Sequence, residues 1–278
     1  MNIIRKYYDE HAEGEWKRLL HDPYRRLEFI VTMHFLDKYL PKKGVILDAG
    51  GGPGRYSVEL AKKGYDVALF DLSAKCLEVA KKQIARAHVE NRIKVVEGSI
   101  TDMSTFNGEQ FDAILCLGPF SHLVDKRQIE KAADETVRVA KTGAPLFISV
   151  ISLYGVFRTV LQRLRHELTD PSRAKLFTHG IHRWHKPSHK GEHDFPDAYF
   201  WHPKDLKELF ENKGVKTLQM ATLEGLSSHL QGATNRLYRD KEKWAKWKEL
   251  ILKTCADPVL LGMGEHFLYI GQKSNKQL

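Results

Sequence analysis

The chain contains 278 residues, of which 42% are hydrophobic, and it carries a formal net charge of +9. This hydrophobic share can bury a substantial core, so the composition excludes a disordered chain. Cys76, Cys116 and Cys255 form no C-x-x-C pair and are odd in number, which excludes a closed disulfide framework and predicts a reducing, cytoplasmic location. The first ten residues already contain several charged side chains, so we expect no signal peptide. No apolar run reaches membrane-spanning length, so we also expect no membrane segment.

Residues 1–40 are predicted to form two amphipathic helices separated at Pro23. Aromatic and aliphatic residues recur at helical spacing on both sides of this proline, and we expect the two helices to form a cap. The apolar positions are Tyr7, Tyr8, Trp16, Leu19 and Leu20 in the first helix and Phe29, Ile30, Met33, Leu36 and Leu40 in the second.

Short apolar runs then alternate with helical patterns, an order typical of a parallel sheet with helices on both faces. Ser73 is placed to cap the second of these helices, and Gly64 to end the first. The predicted strands are 45–47, 67–70, 93–96, 113–116 and 146–150, and the predicted helices between them are 55–63, 74–88 and 125–140.

The pattern changes after residue 155. Residues 156–201 combine a short amphipathic piece with a region rich in histidine, arginine, aromatic and turn residues, which we interpret as an inserted lid. Regular structure then resumes, with helices predicted at 204–212 and 240–254 and strands at 215–221 and 266–271.

The most informative motif is the junction at residues 45–54, where a buried apolar strand runs into a turn with four glycines. Glycine removes the Cβ atoms that would keep a ligand away from the backbone, and it permits positive φ angles. Asp71 follows at the end of the next strand, at a spacing that suits a carboxylate gripping both hydroxyls of a ribose. The dinucleotide-binding motif G-x-G-x-x-G, begun at Gly50, would need glycine or alanine at position 55, where this chain has arginine. The P-loop motif would need G-K-[ST], which is also absent, so the sequence excludes both kinds of site. Asp48 would repel a pyrophosphate at this turn but suits a cationic ligand.

Residues 45–54, Asp71, the turn at 98–100 and residues 111–123 resemble the class I S-adenosylmethionine-dependent methyltransferases, most closely the broad small-molecule group. The resemblance covers roughly residues 40–150 and continues more weakly to the C-terminus. It implies a doubly wound α/β fold with a mostly parallel seven-stranded sheet, into which the last strand inserts antiparallel. It also implies S-adenosylmethionine as the cofactor, a ligand with an ammonium, a sulfonium and no phosphate.

The resemblance suggests a division of the chain into four parts. We expect an N-terminal helical cap at 1–40, a cofactor-binding Rossmann-like core at 41–155, the lid at 156–201 and completion of the core sheet at 202–278. The net charge is uneven, because residues 151–278 carry +7 of the total. This half could attract anionic partners, although a solvated basic surface is the simpler interpretation.

Most of the predicted cofactor contacts lie in the first two strand-to-helix turns. Gly50 and Gly52 are the points of close approach, and Asp48 adds attraction of the right sign for the ammonium. By the resemblance, Asp71 binds the ribose diol and Leu72 lies against the adenine.

Adenine recognition is less well defined. Related enzymes commonly carry an acid directly after the glycine that follows the third strand, whereas this chain has Ser99 there. Either Ser99 or Asp102 could supply the acceptor atom, and Ile100 could offer its backbone NH and an apolar contact. Leu117 at the end of the fourth strand and Tyr8 in the N-terminal helices complete the predicted cofactor contacts.

The segment after the fourth strand is where the methyl group and its acceptor should meet, beyond the carboxyl ends of the strands. Enzymes that methylate exocyclic amines of nucleic-acid bases often have [NDS]-P-P-[YF] there, and Leu117 cannot play the part of its polar first residue. Residues 118–123, Gly-Pro-Phe-Ser-His-Leu, instead resemble the Gly-Pro-hydrophobic-Tyr-His-Leu form of small-molecule relatives, with Ser121 in place of the tyrosine. His122 is therefore a candidate general base or substrate-orienting group, with a packing histidine as the alternative. Tyr154, beyond the fifth strand, is the second candidate catalytic residue.

The predicted lid is rich in imidazoles, at His179, His182, His185, His189 and His193. Structural zinc sites usually recruit thiolates and no cysteine is near, so we expect no metal site. A substrate-facing surface or a solvated loop are the two remaining interpretations. In the first, the cations and rings come from Arg183, Trp184, Tyr199, Phe200 and Trp201.

The sequence thus predicts a methyltransferase that acts on an oxygen or nitrogen atom of a small molecule. An RNA methyltransferase that uses the basic C-terminal half is the first alternative. A catalytically silent S-adenosylmethionine-binding partner protein is the second. The identity of the acceptor and the oligomeric state stay open.

Overall fold

A seven-stranded sheet forms the centre of the computed structural model, which describes residues 3–184 and 195–275. A separate two-stranded ribbon, β6 with β7, lies in the segment predicted as a lid. The strands are β1 (Val45–Ala49), β2 (Asp66–Asp71), β3 (Ile93–Glu97), β4 (Ala113–Leu117), β5 (Pro145–Ile151), β6 (Ile181–His182), β7 (Ala198–Tyr199), β8 (Val215–Thr222) and β9 (His266–Lys273).

The strand order in the large sheet is β3-β2-β1-β4-β5-β9-β8. The strands from β3 to β5 in this order pair in parallel, whereas β9 pairs antiparallel with both β5 and β8. The predicted mostly parallel, seven-stranded doubly wound α/β fold is therefore confirmed, including its antiparallel last strand.

Helices cover both faces of the sheet because successive side chains of each strand point to opposite sides. In β1, Ile46 joins one apolar cluster and Leu47 the other, and both are fully buried. The first cluster is completed by helices α2, α3, α4 and α10, and the second by α5 and α8. The helices are α1 (Ile3–Arg18), α2 (Arg25–Tyr39), α3 (Arg55–Lys62), α4 (Ala74–Arg86), α5 (Lys126–Val139), α6 (Leu153–Arg163), α7 (Ala174–His179), α8 (Pro203–Glu211), α9 (Gln231–Leu237) and α10 (Lys241–Thr254).

Helix ends follow the capping residues. The side chain of Ser73 accepts a hydrogen bond from the backbone NH of Cys76 at 3.0 Å and so caps α4. Gly64, with φ of +97°, ends α3 as predicted. Helix α6 begins three residues before residue 156, the first residue of the predicted lid, because the side chain of Ser152 caps it by accepting from the backbone NH of Gly155.

The N-terminal helix α1 lies across the starts of α3 and α4. The hydroxyl of Ser73 donates to Asp9 at 2.6 Å, and the Arg55 guanidinium donates to the Trp16 carbonyl at 2.7 Å. The Arg55 guanidinium carbon also lies 3.4 Å from the centre of the Trp16 ring, a close cation–π contact. These contacts hold α1 over the glycine-rich turn. Within residues 3–184 and 195–275, no helix combines the length and apolar character needed to cross a membrane.

Candidate active site

A cavity of about 1020 Å³ lies at the carboxyl ends of the parallel strands, under α1 and the start of α2. Ligands of open α/β sheets bind at this edge because the strand-to-helix turns converge there. The wall of the cavity contains ten of the residues predicted for the cofactor and catalytic sites. Those it contains are Tyr8, Asp48, Gly50, Gly52, Asp71, Leu72, Ser99, Ile100, Leu117 and His122.

Gly50 and Gly52 are required for different reasons. Both have positive φ angles, of +73° and +55°. A Cβ added to Gly50 would overlap the Pro119 ring in the turn after β4, so this glycine lets two strand-end turns pack together. A Cβ added to Gly52 would meet no protein atom within 4 Å. Gly52 therefore presents bare backbone to the cavity, which is the feature that a ligand in close contact with the turn requires.

Asp71 is only 9% exposed, and both its carboxylate oxygens accept backbone hydrogen bonds. The NH of Ser73 donates to Oδ1 at 2.8 Å and the NH of Gly52 donates to Oδ2 at 2.7 Å. These bonds fix the carboxylate in the cavity wall, in the place expected of a ribose acceptor. Burial nevertheless raises its pKa to about 6.

Asp48 is the second buried carboxylate of the site, at 1% exposure. The hydroxyl of Ser57 donates to its Oδ2 at 2.6 Å. Burial raises the pKa of Asp48 to about 6, against the lowering effect of this hydrogen bond. A cationic ligand would favour the ionised form of both carboxylates, so the two acids fit a cofactor that carries a sulfonium and an ammonium.

On the adenine side, the structure separates the two candidate residues. Ser99 and Ile100 line the cavity, and the Ser99 hydroxyl lies 2.8 Å from the Thr101 hydroxyl. Asp102 does not line the cavity and instead accepts a hydrogen bond from the backbone NH of Ser104 at 3.1 Å. Asp102 thus caps a turn, and of the two candidates only Ser99 lines the cavity.

Tyr8 and His122 form a hydrogen-bonded pair in the cavity wall. The Tyr8 hydroxyl lies 2.7 Å from His122 Nε2, and His122 Nδ1 lies 3.1 Å from the backbone carbonyl oxygen of Asp197. A carbonyl only accepts, so Nδ1 carries the proton, and Nε2 accepts the hydrogen bond from Tyr8. Burial lowers the pKa of His122 and raises that of Tyr8 well above its usual value, so both groups are neutral near pH 7. The pair therefore presents a basic nitrogen, already engaged by a proton donor, to the cavity.

Tyr154 is the predicted site residue that the structure places elsewhere. Its side chain is 43% exposed and does not line the cavity. Its ring packs edge-on against those of Phe157 and His202, with centroids 6.3 and 5.6 Å apart. Because α6 begins at Leu153, Tyr154 stands in its first turn and faces outward, so the expectation of a catalytic role is corrected.

Some residues of the predicted lid line the cavity and others are buried away from it. Arg183 lines the cavity and pairs with Asp197 at 2.6 Å. Phe200 and Trp201 are buried at 6% and 3% exposure, so they pack in the protein interior and do not face a substrate. His185, His189 and His193 lie outside the described residues.

A charged cluster in the cavity wall was not foreseen from the sequence. The Arg18 guanidinium donates to both oxygens of Glu28, at 2.7 and 3.0 Å. His266 donates to Glu224 through its backbone NH at 2.9 Å and through Nδ1 at 2.7 Å. Burial opposes the charge on His266, but Glu224 outweighs it and the pKa of His266 is raised to about 9. His266 is therefore a cation at neutral pH.

Glu28, Glu224 and His266 also place three potential metal-ligand atoms within 4.8 Å of one another, a grouping not matched elsewhere in residues 3–184 and 195–275. A metal ion would have to displace the proton of His266 and compete with Arg18 for both oxygens of Glu28. The hydrogen bonds therefore favour an ion-pair network over a metal centre.

Comparisons with known proteins agree with this geometry. A family model described as a methyltransferase domain matches residues 46–143. The ubiquinone biosynthesis O-methyltransferase of Xylella fastidiosa is 29% identical over 48% of this chain and 53% of its own length. The tRNA 5-carboxymethoxyuridine methyltransferase of Escherichia coli K12 is 26% identical over 44% of this chain and 48% of its own length. The chain thus spans about half the length of these curated relatives.

The fold is also found in a solved structure. A SAM-dependent methyltransferase from Methanosarcina mazei superposes with a TM-score of 0.61 and 18% identity, over 87% of this chain and 98% of that one. Residues 46–143 are therefore a methyltransferase domain, and the sheet order is that of the class I S-adenosylmethionine-dependent methyltransferase fold. This match implies S-adenosylmethionine as the cofactor.

Proposed function

We propose that the protein transfers a methyl group from S-adenosylmethionine to a small molecule, with a hydroxyl oxygen as the acceptor that the site serves best and a nitrogen as the other. The Tyr8–His122 pair is the observation that carries the proposal. A hydroxyl must lose its proton to become a good nucleophile, and the pair supplies a neutral imidazole with a hydroxyl already bound to it. An amine that reacts as the free base needs no such group.

The cavity has room for two ligands. Its volume of about 1020 Å³ stands at the upper end of the roughly 300–1,000 Å³ typical of ligand pockets. Gly52, Asp71 and Ser99 would hold the cofactor along one part of the wall, and Tyr8 and His122 stand in another part. Helix α1 and the segment with Phe195 and Asp197 supply further wall, which would keep water from the reacting atoms.

The bound cofactor would supply an electrophilic methyl group, and the protein has to orient the acceptor and remove its proton. In the proposed path, the acceptor hydroxyl gives its proton to the Tyr8 oxygen as the Tyr8 proton moves to His122 Nε2. The Asp197 carbonyl oxygen, which accepts from Nδ1, stabilises the imidazolium that results. The acceptor would leave as a methyl ether, and the His122 imidazolium would carry the positive charge that the cofactor gives up. Proton and charge therefore balance.

An RNA acceptor is the alternative with specific support. One relative is a tRNA methyltransferase, and residues 151–278 carry most of the positive charge of the chain. Against it, Leu117 stands where enzymes that methylate exocyclic amines of nucleic-acid bases have a polar residue, and α1 and the residues near Asp197 cover part of the cavity. A silent cofactor-binding protein would have no need of the Tyr8–His122 pair.

Transfer from methyl-labelled S-adenosylmethionine to a metabolite pool and to an RNA pool tests the proposal. We expect label in small molecules, its loss in the His122→Gln variant and binding of S-adenosylhomocysteine by that variant as by the unmodified protein. Label in RNA alone would favour the alternative. Label in neither pool would favour the silent binding protein.

A further inference from the structure

Among the cations that line the cavity, three lie around one buried carboxylate and have no part in the proposed methyl transfer. Arg18, Arg25 and His266, which we term the cationic wall, all line the cavity and all surround Glu28. Although its burial works in the opposite direction, the pKa of Glu28 is lowered, with Arg18, His266 and Arg25 among the causes. The three cations thus form one group, although they come from α1, α2 and β9.

The anions of this cluster already have hydrogen-bond donors. Both oxygens of Glu28 accept from Arg18, and both oxygens of Glu224 accept from His266. Asp22 accepts from the backbone NH of Arg25 at 2.9 Å and from the Gln231 amide at 3.0 Å. Each of these carboxylates is therefore held in place by at least two hydrogen bonds, which offset part of its negative charge.

The cations retain unused donors. Arg18 has five N–H bonds, of which three go to Glu28 and Glu15. His266 uses Nδ1 for Glu224, and its Nε2 has no partner among the residues that the structure describes. The Arg25 guanidinium is 48% exposed and lies 3.7 Å from Asp22. The two remaining N–H groups of Arg18 and the Nε2–H of the protonated His266 can therefore donate to an anion with several lone pairs.

Burial of these charges also needs an explanation. Glu224 and Glu28 are 3% and 9% exposed. Buried ion pairs often stabilise a fold no better than apolar residues of the same shape would, so stability alone does not account for the network. Charged groups held rigid in a cavity wall are typical of a binding site.

We propose that the cationic wall binds a carboxylate group of the methyl acceptor, with His266 as the central donor. The inference rests on the proposed function, because it names a chemical class for the acceptor of that reaction. The cofactor carries a carboxylate as well, so the experiment has to distinguish the two sources. The start of α3 beside Gly52 offers backbone NH groups for the cofactor carboxylate, which leaves the cationic wall for the acceptor.

Calorimetry on the full chain, with S-adenosylhomocysteine filling the cofactor end, tests the proposal. The probes are hydroxy acids of phenolic and aliphatic type, each paired with its neutral amide and with the corresponding amine. We expect at least one carboxylate to bind about tenfold more tightly than its amide, as for hydrogen bonds to charged groups. We expect His266→Gln to remove this preference.

Two further variants serve as a second test and as a control. Glu224→Gln/His266→Gln removes both buried charges together, so it reports on the site even if His266→Gln alone unfolds. Lys17→Gln removes a neighbouring exposed cation of the cavity rim and should leave the preference intact. Thermal unfolding of each variant checks that it is folded.

Three results would overturn the inference. In the first, no carboxylate in the panel binds better than its amide. In the second, the preference survives in both His266 variants, or an amine is preferred. In the third, His266→Gln weakens S-adenosylhomocysteine as much as the carboxylate probes, which would assign the wall to the cofactor. Failure of the unmodified protein to bind S-adenosylhomocysteine would instead contradict the proposed function itself.

Discussion

Gly50 and Gly52 allow the geometry of the glycine-rich turn to be tested by one matched pair of substitutions, each to alanine. Both glycines have positive φ, and placing a side chain in that conformation costs roughly 1–2 kcal/mol. At Gly50 the added Cβ also overlaps the Pro119 ring, and overpacking of this kind typically adds about 1–3 kcal/mol. We therefore expect the free energy of unfolding to fall by about 2–5 kcal/mol in Gly50→Ala and by about 1–2 kcal/mol in Gly52→Ala.

Cofactor binding should follow the opposite order among variants that remain folded. The Cβ of Gly52→Ala would extend into the open space beside the turn, where the cofactor is expected to touch the backbone. We expect calorimetry to show that Gly52→Ala binds S-adenosylhomocysteine at least about tenfold more weakly, a loss of about 1.4 kcal/mol. Urea denaturation gives the stabilities. Equal destabilisation by the two substitutions, or unchanged affinity in Gly52→Ala, would refute this account of the turn.

Three further predictions concern the acids and bases of the site. Asp71→Asn should bind S-adenosylhomocysteine about tenfold more weakly, whereas Asp66→Asn on the exposed start of β2 should bind normally; calorimetry of the pair, with thermal unfolding to check that both are folded, decides. His122→Gln and Tyr8→Phe should each lower kcat by roughly 10²–10⁴-fold, and single-turnover rates equal to those of the unmodified protein would remove the pair from the mechanism. Because burial lowers the pKa of His122, its neutral form persists below the ordinary value of about 6.5, so kcat/KM should stay flat from pH 8 down to about 6.5 and fall only below it.

The sheet could be predicted because its parallel strands are buried on both faces and are therefore continuously apolar. The two helices of residues 1–40 could be predicted, but the buried face of the second could not. Leu27, Val31 and Phe35 are buried in α2, whereas the predicted Phe29, Ile30 and Met33 are only half-buried. The short elements could not. Helix α9 has seven residues, and β6 and β7 have two each. None of the three is long enough to show a periodic pattern of apolar residues in the sequence.

Most of the site could be predicted because it follows directly from strand ends. The residues after β1, β2 and β4 must meet at one edge, and Gly52, Asp71 and His122 do so. Tyr154 satisfied the same rule after β5 but failed, because Ser152 starts a helix at once and carries the next residues outward. The partner of His122 could not be predicted, because it is a backbone carbonyl 75 residues away.

The cationic wall was missed for a reason of topology. A residue at the start of a strand is not expected at the ligand edge, because in a parallel sheet the starts lie at the opposite edge. Strand β9 runs antiparallel, so its first residue, His266, pairs with Ile151 at the carboxyl end of β5. Glu224, shortly after the end of β8, reaches the same edge. The antiparallel insertion implied by the family resemblance therefore contained the information that places His266 in the site.

The buried acids explain why this turn suits a cationic cofactor. Burial raises the pKa of both Asp48 and Asp71 from 3.8 to about 6, a shift worth roughly 3 kcal/mol for each group. Because the pKa is raised, the stability linked to each group is fully present below about pH 4 and is lost as the pH rises through 6. At neutral pH the folded protein thus holds two poorly compensated negative charges beside bare backbone. A sulfonium and an ammonium placed there would compensate both, whereas a phosphate would add a third negative charge, so the same residues that weaken the ligand-free fold select the ligand.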